Sequence, residues 1–346
     1  MHEANIKGIA AALNLSIGTV DRALHGRRGI SEQTRQLVLE KARELGYRPN
    51  YAARSLKLNR SLRVGVFLPT EFQLFFDAIR DGITAACAAS TLMAIQPLFY
   101  RYPRLGEGDI ELLEAHRNEH FDACIVAPGN PKPLEPMLRS LIQENTPVFC
   151  VATDAPNSGR VAAVTADAFA SGAMAAELLS RMLPKAASVA VMTGELTTVD
   201  HAEKVHGFQD GIRQWAPQLK LLPVAECFEQ PERAYQLAGS LLNLKTCPSA
   251  IYMTTAHCAP VLRACEERGL LGRILLITTD LFPEVFPYLQ SGAVVATLHQ
   301  RPLTQGKLVI EQMIRYLTQR TVERSEFRLA PHLVMRSNLK LFLETE

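Results

Sequence analysis

Several things are missing from this chain of 346 residues, and each absence closes off a class of function. No apolar run reaches the roughly 18 residues that a bilayer span needs, so a membrane protein is not expected. The N-terminus carries no basic-then-apolar leader pattern, and the expectation is therefore a cytoplasmic protein. The seven cysteines, Cys87, Cys124, Cys150, Cys227, Cys247, Cys258 and Cys265, are odd in number and scattered, with no CxxC pair. That spacing offers neither a disulfide framework nor a zinc site, and the thiols read as reduced core residues. Catalytic signatures are also missing. There is no glycine-rich loop closing on Lys-Ser or Lys-Thr, no G-x-S-x-G elbow and no HExxH helix. Arg104-Leu-Gly-Glu-Gly108 lacks the strand-then-helix context of a dinucleotide site. His201 and His206, five apart, do not sit squarely on one helix face, and His257 beside Cys258 is too common a dipeptide to mark a thiol nucleophile. The expectation is no enzyme, no metal and no cofactor.

What is present is a globular composition, 47% apolar and 21% charged, with an uneven charge distribution. Residues 1–61 hold eleven Lys or Arg against five Asp or Glu, a net of +6, which leaves 26 against 30, a net of −4, for the remainder. The overall +2 therefore hides a basic head on an acidic body. The length leaves room for that head and two further domains or lobes.

The head reads as three short helices. Ile6, Ile9, Ala10 and Leu13 recur at helical spacing behind Asn5, a plausible cap. Ser16 caps a second helix with Thr19 three positions on, Val20 and Leu24 on one face, and Ile17, Gly18 and Arg22 on the other. Ser31 caps a third, with Thr34, Leu37, Val38, Ala42 and Leu45 pointing inward before Gly46 and Pro49 end it. The second helix, short and with an outer face free, has the form of a recognition helix that enters the major groove of DNA. After Pro49, the stretch from Asn50 to Arg60 is helix-competent but too short and polar to be stable alone, so it would fold against a partner surface. Leu56 within it suits a minor-groove wedge, or equally a linker residue packed on the domain beneath. Arg27, Arg28, Arg35, Arg48, Arg54, Lys57 and Arg60 are candidates for phosphate contacts.

The run from Ile6 to Arg60 resembles the DNA-binding headpiece of the lac repressor (LacI/GalR) family. The carriers are Ile9-Ala10, Leu15-Ser-Ile-Gly-Thr-Val-Asp-Arg22, Ser31-Glu-Gln-Thr-Arg35, Leu45-Gly-Tyr-Arg-Pro-Asn50 and Ala53-Arg-Ser-Leu56. The resemblance implies a DNA-contacting set of Ser16, Ile17, Gly18, Thr19, Arg22, Asn50, Ala53, Arg54 and Leu56, with Ile17, Gly18 and Arg22 reading bases and Leu56 as the wedge. Two positions depart from the family: Gly8, where an acidic residue is usual, and Asp21, where a serine commonly meets phosphate. Gly18 brings no side-chain hydrogen bond, which shifts the reading of bases toward Arg22 and the hinge.

From Leu62 onward short apolar strands alternate with helices. Strands are expected at Leu62–Leu68, Leu92–Pro97, Ala123–Ala127, Val148–Ala152, Ala162–Thr165, Ser188–Met192, Leu221–Ala225, Ala250–Met253, Ile274–Thr279 and Val294–Leu298. Helices are expected at Leu74–Ala89, Pro136–Glu144, Ala168–Met182, Ala202–Trp215, Pro231–Asn243 and Ala259–Gly269. Runs such as Ala123-Cys-Ile-Val-Ala127 suit strands buried on both faces, so the body is an α/β design of two open parallel sheets with ligands beyond the strands' carboxyl ends. Phe72, Phe75 and Phe76 cluster at one such end and could face an apolar sugar ring.

This part resembles the periplasmic sugar-binding fold, in its ribose-binding-like branch. The landmarks are Phe75-Phe-Asp-Ala-Ile-Arg-Asp-Gly82, Thr146-Pro-Val148, Asp167 with Gly172, Gly207-Phe208, Thr279-Asp280 and Ala296-Thr-Leu-His-Gln300. The resemblance implies a ligand set of Gln73, Phe75, Phe76, Thr153, Asp154, Lys204, Thr254, Asp280 and Gln300. Lys204 and Thr254 stand where the family carries arginine and asparagine, which loses a bidentate fork and one bond. His201, His257 and Glu195 are alternative pocket groups. The fold class expected is thus an all-α helix-turn-helix headpiece (residues 1–49), a hinge (50–61) and a two-lobed α/β periplasmic-binding-protein-like domain for effector binding and dimerisation (62–346). The function implied is a transcriptional regulator, a repressor, whose partners are a pseudo-palindromic double-stranded operator, a sugar-like effector and a second copy of itself. Leu339–Leu343 is too short for a tetramerising heptad repeat, which favours a homodimer. The alternative is a cytoplasmic sugar-binding or sugar-processing protein with a basic tail.

Overall fold

The computed structural model describes residues 5–24, 29–45, 47, 61–184, 186–243, 245, 247–319 and 321–343. The chain separates into two compact units, one of residues 1–59 with 317–321 and the other of residues 60–316 with 322–346. The first is built from α1 (Ile6–Leu13), α2 (Ile17–Leu24) and α3 (Glu32–Glu44). Each start is set by a side chain: Asn5 Oδ1 accepts from the Gly8 amide at 2.8 Å, and Ser16 Oγ and Ser31 Oγ accept from Thr19 and Thr34 at 3.1 Å. Ile9, Ala10, Val20, Ala23, Val38 and Ala42 form the core, flanked by Ile6, Leu13, Leu15, Leu24 and Leu45. Leu37, expected to point inward, is 50% exposed. The buried pair on α3 is Val38 and Ala42, an i,i+4 stripe, and Leu37 lies about 100° around the helix from it. Gly46 and Pro49 lie outside the described residues.

The body begins with β1 (Leu62–Pro69), α4 (Gln73–Ala89), β2 (Ile95–Tyr102), α5 (Asp109–Ala115) and β3 (Ala123–Val126). It continues with α6 (Pro131–Gln143), β4 (Val148–Val151) and β5 (Ala162–Ala166). Helix α7 (Ala168–Met182) then crosses to a second lobe of β6 (Ser188–Thr193), α8 (Val199–Trp215), β7 (Lys220–Leu221), β8 (Ala225–Glu226) and α9 (Pro231–Leu242). That lobe goes on through β9 (Ala250–Met253), α10 (Cys258–Glu266), β10 (Leu275–Thr279), α11 (Phe286–Ser291) and β11 (Val294–His299). Helix α12 (Pro302–Gln319) leads back to β12 (Glu326–Leu329), followed by β13 (His332–Val334) and α13 (Leu339–Leu343).

One sheet has the order β12-β5-β4-β3-β1-β2, all parallel. The other runs β13-β11-β10-β9-β6-β7, with β8 also on β6 and only β13 antiparallel. Both orders reverse direction beside their first strand, between β1 and β3 and between β6 and β9, which is where open α/β sheets leave a crevice. β12 ends at Leu329 in one sheet and β13 begins at His332 in the other, so only residues 330 and 331 pass between them.

Several boundaries differ from expectation. The second strand lies at Ile95–Tyr102 and not Leu92–Pro97, because its register on β1 pairs Leu62 with Ile95 and Pro69 with Tyr102. As an edge strand it tolerates Pro97. Leu221–Ala225 is two short pieces, since Pro223 has no amide hydrogen to continue a ladder. Helix α6 starts five residues early, at Pro131, and accommodates Pro136 with the loss of one bond to the carbonyl of exposed Lys132. The long helix α12 and the edge strands β12 and β13 had no counterpart among the expected elements.

Two helix crossings depend on glycine. A Cβ on Gly172 of α7 would stand 2.0 Å from the Lys204 carbonyl of α8, and one on Gly207 would stand 2.0 Å from the Phe169 carbonyl. A Cβ on Gly82 of α4 would stand 2.2 Å from Leu303 O on α12. Only backbones without side chains pack this closely.

Candidate functional site

In the N-terminal unit, α2 presents an exposed first turn. Ser16 and Thr19 are tied to one another through their hydroxyls at 2.8 Å, so both belong to the cap of the helix. Val20 and Ala23 face the core, while Ile17, Gly18 and Arg22 are exposed on the opposite side. A Cβ on Gly18 would meet only Ser16 Oγ, at 3.8 Å, so the surface there is open. Arg35, half-buried on α3, stands 3.9 Å from Glu32. Asn50, Ala53, Arg54 and Leu56 lie outside the described residues, as do Arg27, Arg28, Arg48, Lys57 and Arg60.

In the body, a cleft opens between the lobes at the carboxyl ends of both sheets. Phe72, Phe75 and Phe76 follow β1 and Leu105 follows β2. Ala152 and Thr153 follow β4. From the other lobe come Asp200, His201 and Lys204 on α8, Thr254 after β9, Asp280 after β10 and Gln300 after β11. Four of the turns that deliver these groups use left-handed backbone on residues other than glycine: Phe72 (φ 55°), Ala152 (φ 67°), Asp280 (φ 65°) and Arg301 (φ 60°). Such conformations persist only where surrounding contacts hold them, and they concentrate here around the cleft.

One polar chain lines the second lobe. Lys204 is 1% exposed, and its ammonium donates to Asp200 Oδ2 at 2.6 Å, Gln300 Oε1 at 2.9 Å and the Thr254 carbonyl at 3.2 Å. All three of its protons are therefore used within the protein. Gln300 in turn donates through its backbone amide to Asp280 Oδ1 at 2.8 Å and through Nε2 to Oδ2 at 2.5 Å. Gln305 Nε2 on α12 donates to the Gln300 carbonyl at 2.8 Å, and its Oε1 accepts from Ala152 N at 3.2 Å, joining the two lobes behind the cleft. Two buried oxygens on the cleft wall, Asp200 Oδ1 and Thr153 Oγ1, have no hydrogen-bond partner. Burying polar atoms unmet costs free energy, so these are the positions at which a bound molecule gains most by supplying donors.

Of the nine residues expected to contact a ligand, seven line this cleft: Phe75, Phe76, Thr153, Lys204, Thr254, Asp280 and Gln300. Two do not. Gln73 is the first residue of α4 and is exposed in a separate groove with Leu74 and Pro260, because the left-handed Phe72 turns the helix start outward. Asp154 is gripped through both oxygens by Arg160, which also donates to Ser325 O at 2.7 Å, so its carboxylate is committed to lobe structure. Phe72 and His201 were singled out in the sequence and do line the cleft. Asp200 was not, although it stands one helical turn before Lys204 and the i,i+4 spacing was a readable signal. His257 and Glu195 are outside it, but His257 belongs to a cluster at the rim. Its Nε2 lies 3.3 Å from Glu71 of the first lobe and 3.5 Å from Glu229, a 2% exposed residue whose other oxygen is 3.1 Å from His201 Nε2. Thr198 donates to the Gly129 carbonyl at 2.8 Å nearby, a second direct bond between lobes.

Among the described residues no group of three or more His, Cys, Asp or Glu could hold a metal ion, and no helix is long and apolar enough to cross a membrane.

Comparison with known proteins places both units. Residues 64–321 match the periplasmic binding protein domain, and residues 5–50 match the lacI family of bacterial regulatory proteins. Catabolite control protein A of Priestia megaterium is 25% identical, over 97% of this chain and 99% of that one. The transcriptional repressor PurR of Mannheimia succiniciproducens is 22% identical over the same shares. Among solved structures, a glucose-galactose binding protein of Geobacillus stearothermophilus superposes with a TM-score of 0.74 at 24% identity, covering 81% of this chain and 99% of that one. A solute-binding protein of Agrobacterium vitis bound to α-D-tagatopyranose gives 0.74 at 17% identity, covering 81% and 96%. Those structural likenesses establish the fold of the body. With its headpiece and body both matched, the chain carries a DNA-binding region of the bacterial regulatory lacI family at residues 5–50 and, over residues 64–321, belongs to the periplasmic binding protein domain family.

Proposed function

We propose that this chain is a cytoplasmic, homodimeric repressor without catalytic activity, whose grip on a pseudo-palindromic DNA site is set by a small polyhydroxylated effector. In this reading residues 1–49 bind DNA, 50–61 form the hinge and 62–346 hold the effector and the dimer contacts. Arg22 and Ile17 reach base edges from the exposed face of α2, and the capped N-terminus of that helix approaches the phosphates. The effector lies in the cleft with an apolar ring face on Phe75 and Phe76 and its hydroxyls on the wall formed by Thr153 and Asp200. The names of the relatives, repressors and a catabolite regulator, support the first half, and the sugar-binding neighbours support the second. The observation that carries the reading is a capped helix with an exposed outer face, joined in one chain to a cleft holding two unmet buried oxygens.

Effector binding changes how the lobes are held together, and thereby the spacing of the paired hinge segments. A coupling of about 1–3 kcal/mol would alter DNA affinity roughly 5- to 150-fold. The test is fluorescence anisotropy with labelled fragments of the host genome, at two ionic strengths, with and without sugars. One fragment bound selectively, with an affinity that a sugar changes several-fold, is the expected result. A chain that binds all fragments alike at both salt concentrations, and ignores every sugar, refutes the proposal.

A further inference from the structure

The cleft wall directs most of its hydrogen-bond donors at itself. Lys204 points all three protons at protein oxygens. The hydroxyls of Thr254, Thr255 and Thr279 donate to Thr193 Oγ1 at 2.6 Å, Glu229 Oε2 at 2.7 Å and the Met253 carbonyl at 2.8 Å. Gln300 Nε2 donates one hydrogen to Asp280, and the main-chain amides of Ala152, Thr153, Thr254 and Asp280 donate to neighbouring carbonyls. Oxygens are what remain. Asp200 Oδ1 sits on a side chain 10% exposed and Thr153 Oγ1 on a residue 2% exposed, and neither has a partner.

Charge leans the same way. The titratable groups of the lining are Asp200, His201, Lys204 and Asp280, with two carboxylates against one ammonium. His201 faces a carboxylate of its own, Glu229, at 3.1 Å, so it offsets neither aspartate. Beside Asp200, Glu203 and Glu326 share Arg328 at 3.2 and 3.1 Å. An anionic ligand would meet net negative charge where little water screens it. A neutral hydroxyl on Asp200 Oδ1 would donate its one hydrogen and leave its own oxygen facing acceptors. An ammonium has three hydrogens and no lone pair, which suits a wall of unmet oxygens. Phe75 and Phe76, with centroids 5.0 Å apart and rings at 87°, add an aromatic corner to the same cleft.

We infer that the effector is an amino sugar in its protonated form, its ammonium on Asp200 Oδ1 and Thr153 Oγ1 and its ring against the phenylalanine corner. This rests on the sugar-effector reading above and adds the charge class of the ligand and the residue that selects it, Asp200.

The test is calorimetric titration of the full chain, at mildly acidic pH where the amines are protonated, with pairs that exchange one hydroxyl for an amine. The pairs are glucose with glucosamine, galactose with galactosamine and mannose with mannosamine, and glucose 6-phosphate is the anionic control. At least one amino sugar binds about tenfold or more tightly than its neutral counterpart, as a charge-assisted bond provides, and glucose 6-phosphate binds more weakly than glucose. Asp200→Asn abolishes that advantage, and Thr153→Val, a smaller change, reduces it several-fold. Lys204→Met acts in the opposite direction, because Asp200 loses its internal cation. The amino sugar then raises the Tm of this variant by more than it raises that of the unmodified protein, and the neutral sugar does not. Neutral sugars that match their amino counterparts in every pair, a glucose 6-phosphate that binds best, or an advantage undiminished in either wall variant overturns the amine assignment and leaves the effector reading standing. Failure of every compound in the panel to bind overturns the sugar-effector reading, and the amine with it.

Discussion

Lys204 offers the sharpest test of how the cleft is held. It is almost wholly buried, it neutralises Asp200, and it anchors the chain of bonds that runs through Gln300 to Asp280. Lys204→Met keeps most of the side-chain volume but removes the charge and three donors. Asp200 is then left as a buried carboxylate without its partner, a loss that typically costs about 3–5 kcal/mol. Asp200 keeps 10% of its side chain exposed, so water can reach it in part, and the lower figure of about 3 kcal/mol applies. For a body of this size that corresponds to a fall in Tm of roughly 6 °C. Removing both charges, in Lys204→Met with Asp200→Leu, eliminates the stranded carboxylate and restores more than half of the loss, as a double-mutant cycle would register. The assay is calorimetric melting of the full chain, following the transition of the body. If the single variant melts within a degree of the parent, or if the double variant is no better than the sum of the singles, the ion pair does not carry this wall.

Other expectations follow from the same geometry. Arg22→Ala lowers affinity for the selected DNA site by about 1–3 kcal/mol and broadens base preference, measured by competition with single-base variants of the site; unchanged selectivity removes Arg22 as a reader. Gly207→Val drives a side chain into the Phe169 carbonyl, so α7 and α8 must part; a Tm loss of several degrees with weakened effector binding is expected, and a fully stable variant would contradict the close crossing. Burial holds the Asp109 carboxyl above its ordinary value, so the folded state keeps that proton to higher pH than the unfolded chain and loses stability as pH rises through the interval. Asp109→Asn should therefore gain in Tm relative to the parent between pH 4 and pH 7, and a constant difference would refute it. Thiol labelling of the native protein should be confined to half-buried Cys247, because the other six thiols are buried, which raises Cys87, Cys124, Cys227 and Cys258 to about 12, Cys265 to about 11 and Cys150 further still.

The strands that form the centres of both sheets were legible because they are short, continuously apolar and bounded by turns, as in Ala123–Val126 and Ala250–Met253. The edges were not. β12 reads Glu-Phe-Arg-Leu with a single buried residue, too little apolar signal to distinguish a strand from a loop. At the cleft, residues at strand ends such as Thr254, Asp280 and Gln300 could be placed by position along the chain. Asp154 could not be resolved from Thr153, because adjacent residues leaving a strand point to opposite sides. Which of them met an arginine depended on Arg160, six residues further on. The commitment of Lys204 to three internal bonds was equally invisible, since its partners Thr254 and Gln300 lie 50 and 96 residues away.

The short passage from β12 to β13 has a mechanical consequence. Two intervening residues, Ala330 and Pro331, allow at most about 11 Å between the Cα atoms of Leu329 and His332. Along that border the halves of the body are tethered and cannot draw apart. Any widening of the entrance must be a rotation that swings about this strap, with the greatest travel at the far rim, where Glu71 faces His257.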